Sequence, residues 1–161
     1  MQLPNFLKRG ITRWLELSPQ ERLFVLIMTV QLPTVWVGLR TMGTNRMLGW
    51  VLATRRSTHA NSHWRLDHTR KCWELTRTTA RYCLPQGSCL PQALVLFRWL
   101  CKHGLEPELK IGARRGDNVL EAHAWLELDG IPLDSTSNDY RLLFSSTMHL
   151  GSQLNDISLK G

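Results

Sequence analysis

A segment that is apolar on nearly every side, residues 90–103, constrains the fold of this chain more than any other feature. Apart from Pro91, its only non-apolar residues are Gln92, Arg98, Lys102 and His103. A helix without a broad polar face has to be covered all round, so we predict a helix at the centre of a domain. Gly104 follows where a left-handed residue would end that helix, and Leu105 is placed for the accompanying apolar contact.

The residues after this helix predict an antiparallel sheet. Apolar side chains alternate over 107–114, as in a half-buried strand, and a turn is expected at Gly116–Asn118. Further strands are predicted over 119–128 and 131–134. Asp129-Gly130 joins them, and this dipeptide is the strongest short-range signal for a two-residue hairpin. The order helix, strand, strand, strand predicts an α+β fold.

The chain before this region is predicted to be helical. Ser18, Pro19 and Glu21 have the spacing of a capping box with proline in the first turn. Pro33 should end or kink the helix that begins there. Two further helices are expected, over 47–52 and over 62–82.

The uncharged stretch Leu23–Leu39 raises the question of a membrane span. It is 17 residues long and contains Gln31 and Pro33. A span needs about 20 apolar residues, so this stretch lies at the lower limit and is interrupted by proline. We interpret it as a buried helix and expect no membrane span.

Charge divides the chain into two parts. Residues 1–80 contain 12 Lys and Arg against 4 Asp and Glu, whereas residues 81–161 contain 8 against 9. The basic half could bind nucleic acid, anionic lipid or an acidic protein, but its charges are spread out, which favours an ordinary solvated helix surface. We divide the chain into an N-terminal helical extension (1–80), a core domain (81–150) and a C-terminal tail (151–161).

The four cysteines, at positions 72, 83, 89 and 101, have no zinc-binding spacing. The N-terminus lacks the pattern of a secretory signal, so we expect a cytoplasmic protein without disulfides. No glycine-rich phosphate loop is present, and we expect no cofactor and no metal.

Cys89 lies at the predicted start of the central helix. Pro91 is tolerated only in a first turn, which places Cys89 beside the unpaired backbone N–H groups. The helix dipole favours an anion there, and a thiolate is the form that attacks carbonyls. The alternative is a small buried hydrophobic residue, which is the usual role of cysteine.

The predicted hairpin brings a histidine and an aspartate together. If Asp129-Gly130 is the turn, Trp125 faces Asp134, and His123 lies on the same face two residues away. Diagonal neighbours of this kind have Cβ atoms about 7 Å apart, within reach of a side-chain hydrogen bond. The alternative is an uninvolved strand histidine beside a turn aspartate. Asp139 is a weaker candidate for the acid, because it follows the polar stretch 135–138.

Four blocks of this sequence together resemble the leader peptidases of lasso peptide biosynthesis, the B proteins, called B2 when encoded apart from their recognition domain. The blocks are Cys89-Leu90-Pro91-Gln92-Ala93-Leu94, Ile111-Gly112-Ala113-Arg114-Arg115, Ala122-His123-Ala124-Trp125-Leu126-Glu127 and Asp129-Gly130. The resemblance covers residues 80–145 closely. It implies a transglutaminase-like, papain-like core with Cys89 as nucleophile, His123 as base and Asp134 as the group that orients the histidine.

The resemblance also implies a function and partners. Such enzymes cut a ribosomally made precursor between leader and core, and a separate asparagine-synthetase-like macrocyclase then closes the ring. Because residues 1–80 are predicted to be helical rather than strand-rich, the chain resembles the split form, in which a separate B1-type protein holds the leader. The basic half is then a candidate docking surface. The alternatives are another thiol acyltransferase, a catalytically silent scaffold and a nucleic-acid binder.

Overall fold

The computed structural model describes residues 14–53, 66–85, 88–116, 119–134 and 139–146. Its principal helices are α1 (Pro19–Met42), α2 (Thr44–Leu52), α3 (Leu66–Cys83) and α4 (Cys89–Lys102). Its strands are β1 (Glu108–Arg115), β2 (Leu120–Leu128), β3 (Ile131–Pro132) and β4 (Arg141–Ser145). The predicted α+β class is confirmed.

The strands form one antiparallel sheet in the order β3-β2-β1-β4. Strand β4 was not predicted, because the consecutive apolar residues Leu142, Leu143 and Phe144 show no alternation. It pairs with β1 across a register shift between Ile111 and Gly112. β1 and β2 therefore form the middle of the sheet.

The hairpin has the predicted register. Leu128 pairs with Ile131, and the turn residues Asp129 and Gly130 have φ values of 53° and 76°. Two successive left-handed residues give a turn whose twist matches that of the strands. β3 ends at Pro132, but the Leu133 N–H donates to the Leu126 carbonyl at 2.9 Å, so the register continues toward Asp134.

Helix α4 is the centre of the domain, as its composition predicts. Phe97, Leu94, Leu96 and Leu100 are fully buried. Gly104 takes the left-handed conformation that ends the helix, with φ 78°, and the Leu105 N–H donates to the Leu100 carbonyl at 3.1 Å. The helix packs on the sheet and against the preceding helices.

Helix α1 begins with the predicted capping box. The Ser18 N–H donates to Glu21 Oε2 at 2.7 Å, and the Glu21 N–H donates to Ser18 Oγ at 3.3 Å. The helix continues through Pro33 to Met42, so Pro33 does not end it. Thr34 and the residues that follow keep helical bonding, and packing of the buried face against α3 and α4 compensates for the bond that proline removes.

Only one face of α1 is buried, so the expectation of a buried helix holds for that face alone. Its core face is formed by Phe24, Met28, Leu32 and Val35, and its opposite face exposes Leu23, Leu26, Val30 and Val37. In length and composition α1 could cross a membrane, and 22% of its most apolar window is buried within the protein.

Within the described residues, one hydrophobic core joins the N-terminal helices to the central helix and the sheet. It contains Met28 and Leu32 from α1, Trp73 from α3, and Leu126 from β2. The N-terminal helices thus cover the central helix on the side away from the sheet. The domain boundary drawn at residue 80 stays a prediction.

Candidate active site

Cys89 is the first residue of α4, as predicted. The preceding Ser88 donates its hydroxyl to the Pro85 carbonyl at 2.6 Å and makes no capping bond to the helix. The first-turn N–H groups are therefore left uncapped by that side chain. Cys89 is half-buried, and Pro91 lies within the first turn without removing a needed hydrogen bond.

His123 and Asp134 form the predicted pair. His123 Nε2 lies 2.9 Å from Asp134 Oδ2, and the carboxylate belongs to a residue only 6% exposed. His123 is half-buried on β2. The rival carboxylate, Asp139, is exposed and lies 3.6 Å from Arg114 Nη1 instead.

The thiol of Cys89 meets the other side of the imidazole. The two side chains are close enough for each to shift the pKa of the other, and the Cys89 thiol donates to the Ala122 carbonyl oxygen at 3.9 Å. Since Asp134 occupies Nε2, Nδ1 is the ring nitrogen left for the thiol. The structure thus brings all three predicted residues together, although Cys89 is separated from His123 by α4 and β1 in sequence.

The surroundings of this pair favour its charged form. Hydrogen bonds to Asp134 and then to Cys89 raise the pKa of His123 to about 9. Burial alone would raise the pKa of the Cys89 thiol, but the hydrogen bond to His123 and the backbone N–H of Ala124 outweigh it and lower that pKa. A thiolate beside an imidazolium is a nucleophile and a proton donor held in contact.

These shifts predict a pH profile for any reaction that uses the pair. The rate should rise as the Cys89 thiolate forms, at a pH below the usual range of cysteine, and fall near pH 9 as His123 loses its proton. The measurement is kcat/KM against pH, compared with the pH dependence of Cys89 alkylation by iodoacetamide. A rate that still rises through pH 9 would show that the reactive form is not the ion pair.

Two aromatic side chains contact the imidazole; the predicted register placed Trp125 on the face of His123, whereas Tyr140 was not predicted. The ring of Tyr140 lies 5.0 Å from that of His123, and Trp125 stacks on His123 at 6.1 Å with an interplanar angle of 15°. Trp125 is held in turn, because its Nε1–H donates to Glu127 Oε1 at 3.0 Å. Lys110 Nζ donates to the other oxygen of Glu127 at 2.7 Å.

Gly112 makes room for this arrangement. It pairs with His123 across the sheet. A Cβ at this position would lie 2.8 Å from the Arg141 carbonyl oxygen and 3.0 Å from the Trp125 ring. Glycine inside a strand often marks such a close approach, so the sequence did contain a signal for this position.

The Cys89 thiol and the His123 ring open onto a groove of about 450 Å³. The other residues that line it are Trp73, Arg77, Arg81, Ser88, Gln92, Glu121, Ala122 and Tyr140. Residues 73, 77 and 81 lie on one face of α3, because they are four residues apart. That this face lines the groove is visible only in the structure. Among the described residues, no group of three or more His, Cys, Asp or Glu side chains could hold a metal ion.

A cysteine at the start of a central helix, with a His–Asp pair on the adjoining sheet, is the arrangement of the transglutaminase-like class of α+β proteins. Comparison with protein-family models gives the same class. Residues 32–147 match the Transglutaminase-like superfamily, and the chain belongs to it. That range begins inside α1 and runs just past β4. No curated protein and no solved structure matches the chain significantly.

Proposed function

We propose that this protein is a cysteine peptidase that removes the leader from a ribosomally made lasso peptide precursor. The observation that carries the peptidase part is the contact of Cys89 with His123, backed by the 2.9 Å bond from His123 to Asp134. The transglutaminase-like fold includes both cysteine peptidases and acyltransferases. The lasso peptide part rests on the sequence blocks around Cys89 and His123.

The geometry supports a two-step acyl transfer. The Cys89 thiolate attacks the carbonyl carbon of the scissile peptide bond, and the imidazolium of His123 gives its proton to the departing amine. The C–N bond breaks and a thioester remains on Cys89. His123 then takes a proton from water, whose oxygen attacks the thioester, so that the acid product leaves and the thiolate returns. Asp134 keeps the imidazole oriented in both steps.

The start of α4 can stabilise the oxyanion of each step. The backbone N–H groups at its first turn are not bonded by the Ser88 side chain, and the Gln92 amide lines the same groove. Donors fixed before the reaction stabilise developing negative charge without reorganisation.

The products distinguish this function from its alternatives. The purified protein and the B1-type recognition protein are mixed with a precursor peptide and an added primary amine, and the masses of the products are determined. A leader ending in a free carboxylate supports hydrolysis, whereas a leader joined to an added amine supports transglutaminase-like acyl transfer. An intact precursor in the presence of all partners supports a scaffold of the same fold.

The proposed partners are the precursor, a separate B1-type leader-recognition protein and an asparagine-synthetase-like macrocyclase, in the cytoplasm. The basic N-terminal half is the proposed dock for the recognition protein. Arg55 and Arg56, the first residues to test for this role, lie outside the described residues. We propose no nucleic-acid partner and no membrane span.

If the separate recognition protein holds the leader close to Cys89, it should raise the rate of precursor cleavage. An open groove offers little contact for choosing one bond in a precursor, so selectivity should come from holding the leader nearby. We expect slow cleavage by this chain alone and an increase of about 10²-fold or more when the recognition protein is added. The check is a cleavage time course at several concentrations of that protein. Full activity of this chain alone would mean that the leader is read within residues 1–80.

A further inference from the structure

One wall of the groove is cationic. Arg77 and Arg81 lie one helical turn apart on α3, both exposed, and both line the groove that contains Cys89. Trp73, one turn before them on the same face, is buried and anchors α3 to the core. The backbone positions of the two arginines are therefore about 6 Å apart along the axis of a helix that lines the groove beside the nucleophile.

Neither arginine has a counterion within the described residues. Arg77 and Arg81 form no ion pair there, even though Glu74 precedes Arg77 by one turn. The acidic residue of the groove, Glu121, is already engaged, because Arg114 Nε lies 2.7 Å from its Oε2. The α3 wall thus offers two guanidinium groups to whatever enters the groove.

The chemistry of the α3 wall favours an anionic ligand. Guanidinium groups bind carboxylates through paired, charge-assisted hydrogen bonds. Glu121 on β2 also lines the groove, but its carboxylate is paired with Arg114 and does not neutralise Arg77 or Arg81. A carboxylate on a ligand that reaches Cys89 is therefore attracted to the α3 wall.

We propose that Arg77 and Arg81 form a carboxylate subsite that selects peptides with an Asp or Glu side chain close to the bond that Cys89 attacks. This proposal rests on the proposed function in one respect, which is that the ligand of the subsite is a peptide. The positive potential on the α3 wall is a property of the folded protein and can be measured without a substrate.

The first experiment measures that potential at Cys89 itself. Iodoacetate and iodoacetamide alkylate the same thiolate, which displaces iodide as the new S–C bond forms, but only iodoacetate carries a negative charge. The rate with iodoacetate divided by the rate with iodoacetamide therefore reports the potential in the groove. Changes in the reactivity of the thiolate affect both rates equally and cancel in this ratio. In dilute buffer, where screening is weak, we expect the double variant Arg77→Gln/Arg81→Gln to lower this ratio about three- to tenfold.

Lys102→Gln is the matched control. It removes one positive charge from the far end of α4, about 20 Å along the helix from Cys89, and should leave the ratio unchanged. Circular dichroism of each variant establishes that the fold is kept. An unchanged ratio in the folded double variant would overturn the subsite.

The second experiment tests selection. Peptides that differ only by Glu against Gln, or Asp against Asn, near the cleaved bond are compared by kcat/KM. The wild type should prefer the acidic peptide about tenfold, and the double variant should lose most of that preference, measured as the ratio of kcat/KM for the acidic peptide to kcat/KM for the neutral one. Equal cleavage of both peptides by the wild type would overturn selection by the subsite.

The two experiments separate this proposal from the proposed function. If the alkylation ratio falls as expected but no peptide is cleaved even with the recognition protein present, the cationic wall stands as an anion subsite and the peptidase function is wrong. If peptides are cleaved without regard to charge and the ratio does not change, the peptidase stands and the subsite is wrong.

Discussion

Replacing Cys89 with alanine is expected to reduce the proposed precursor cleavage by about 10⁴-fold or more, because the proposed mechanism forms its covalent intermediate on this thiol. Cys89 begins α4, is hydrogen-bonded to His123 and has a thiol pKa below the usual range. Removing it leaves the imidazole and the carboxylate in place without a nucleophile. The measurement is the initial rate of precursor cleavage, followed by chromatography and mass spectrometry.

Cys83→Ala is the matched control. Cys83 is half-buried at the end of α3, and the structure places it outside the groove. Its replacement should leave the rate within about twofold, since a substitution away from the site acts at most on stability. Iodoacetamide should inactivate the wild type by labelling Cys89 first. Inactivation through Cys72, Cys83 or Cys101 would contradict the assignment.

Asp134→Asn will slow turnover on the order of 10³-fold while lowering stability far less. The carboxylate accepts a hydrogen bond from His123 and contributes most to raising the pKa of that residue to about 9. An amide can present its N–H to the imidazole and stabilise the wrong tautomer. The alkaline fall in activity should therefore move to lower pH, because the imidazolium is no longer held by a negative charge.

Asp139→Asn supplies the comparison for this variant. Asp139 is exposed and its carboxylate lies near Arg114, not His123. We expect a change of about twofold or less in kcat/KM and no shift of the alkaline limb. A larger loss at Asp139 than at Asp134 would show that the reactive conformation uses a different carboxylate. Thermal unfolding of both variants separates loss of turnover from loss of fold.

The central parts of the fold and the three site residues were predictable because their signals are local. Two left-handed turn residues, Asp129 and Gly130, determine the hairpin register, and the register alone places His123 near Asp134. The absence of a polar face on α4 likewise required a central position. Pro91 then located the start of that helix, and with it Cys89, to within a residue.

The features that sequence reasoning missed depend on contacts between distant segments. Strand β4 has no alternating pattern of its own and is defined by its pairing with β1. Arg77 and Arg81 look like an ordinary solvated helix face until α3 is packed beside Cys89. The continuation of α1 beyond Pro33 similarly depends on its packing against the later helices. None of these contacts leaves a periodic signal in the segment concerned.

The three site residues are unequally spaced along the chain: His123 and Asp134 are close in sequence, whereas Cys89 is distant from both. His123 and Asp134 are 11 residues apart and belong to one hairpin, so their bond requires only a short loop to close. Cys89 precedes His123 by α4 and β1 and meets it only once the sheet has packed against that helix. Loop closure of this length is a later step in folding than the formation of a hairpin.

A chain still being synthesised, or one that has unfolded, thus carries Cys89 as an ordinary thiol of low reactivity at neutral pH. The completed fold is what lowers the pKa of the thiol, so the reactivity of Cys89 depends on folding. Alkylation of Cys89 near pH 7 should accordingly be slower in denaturant than in the native protein.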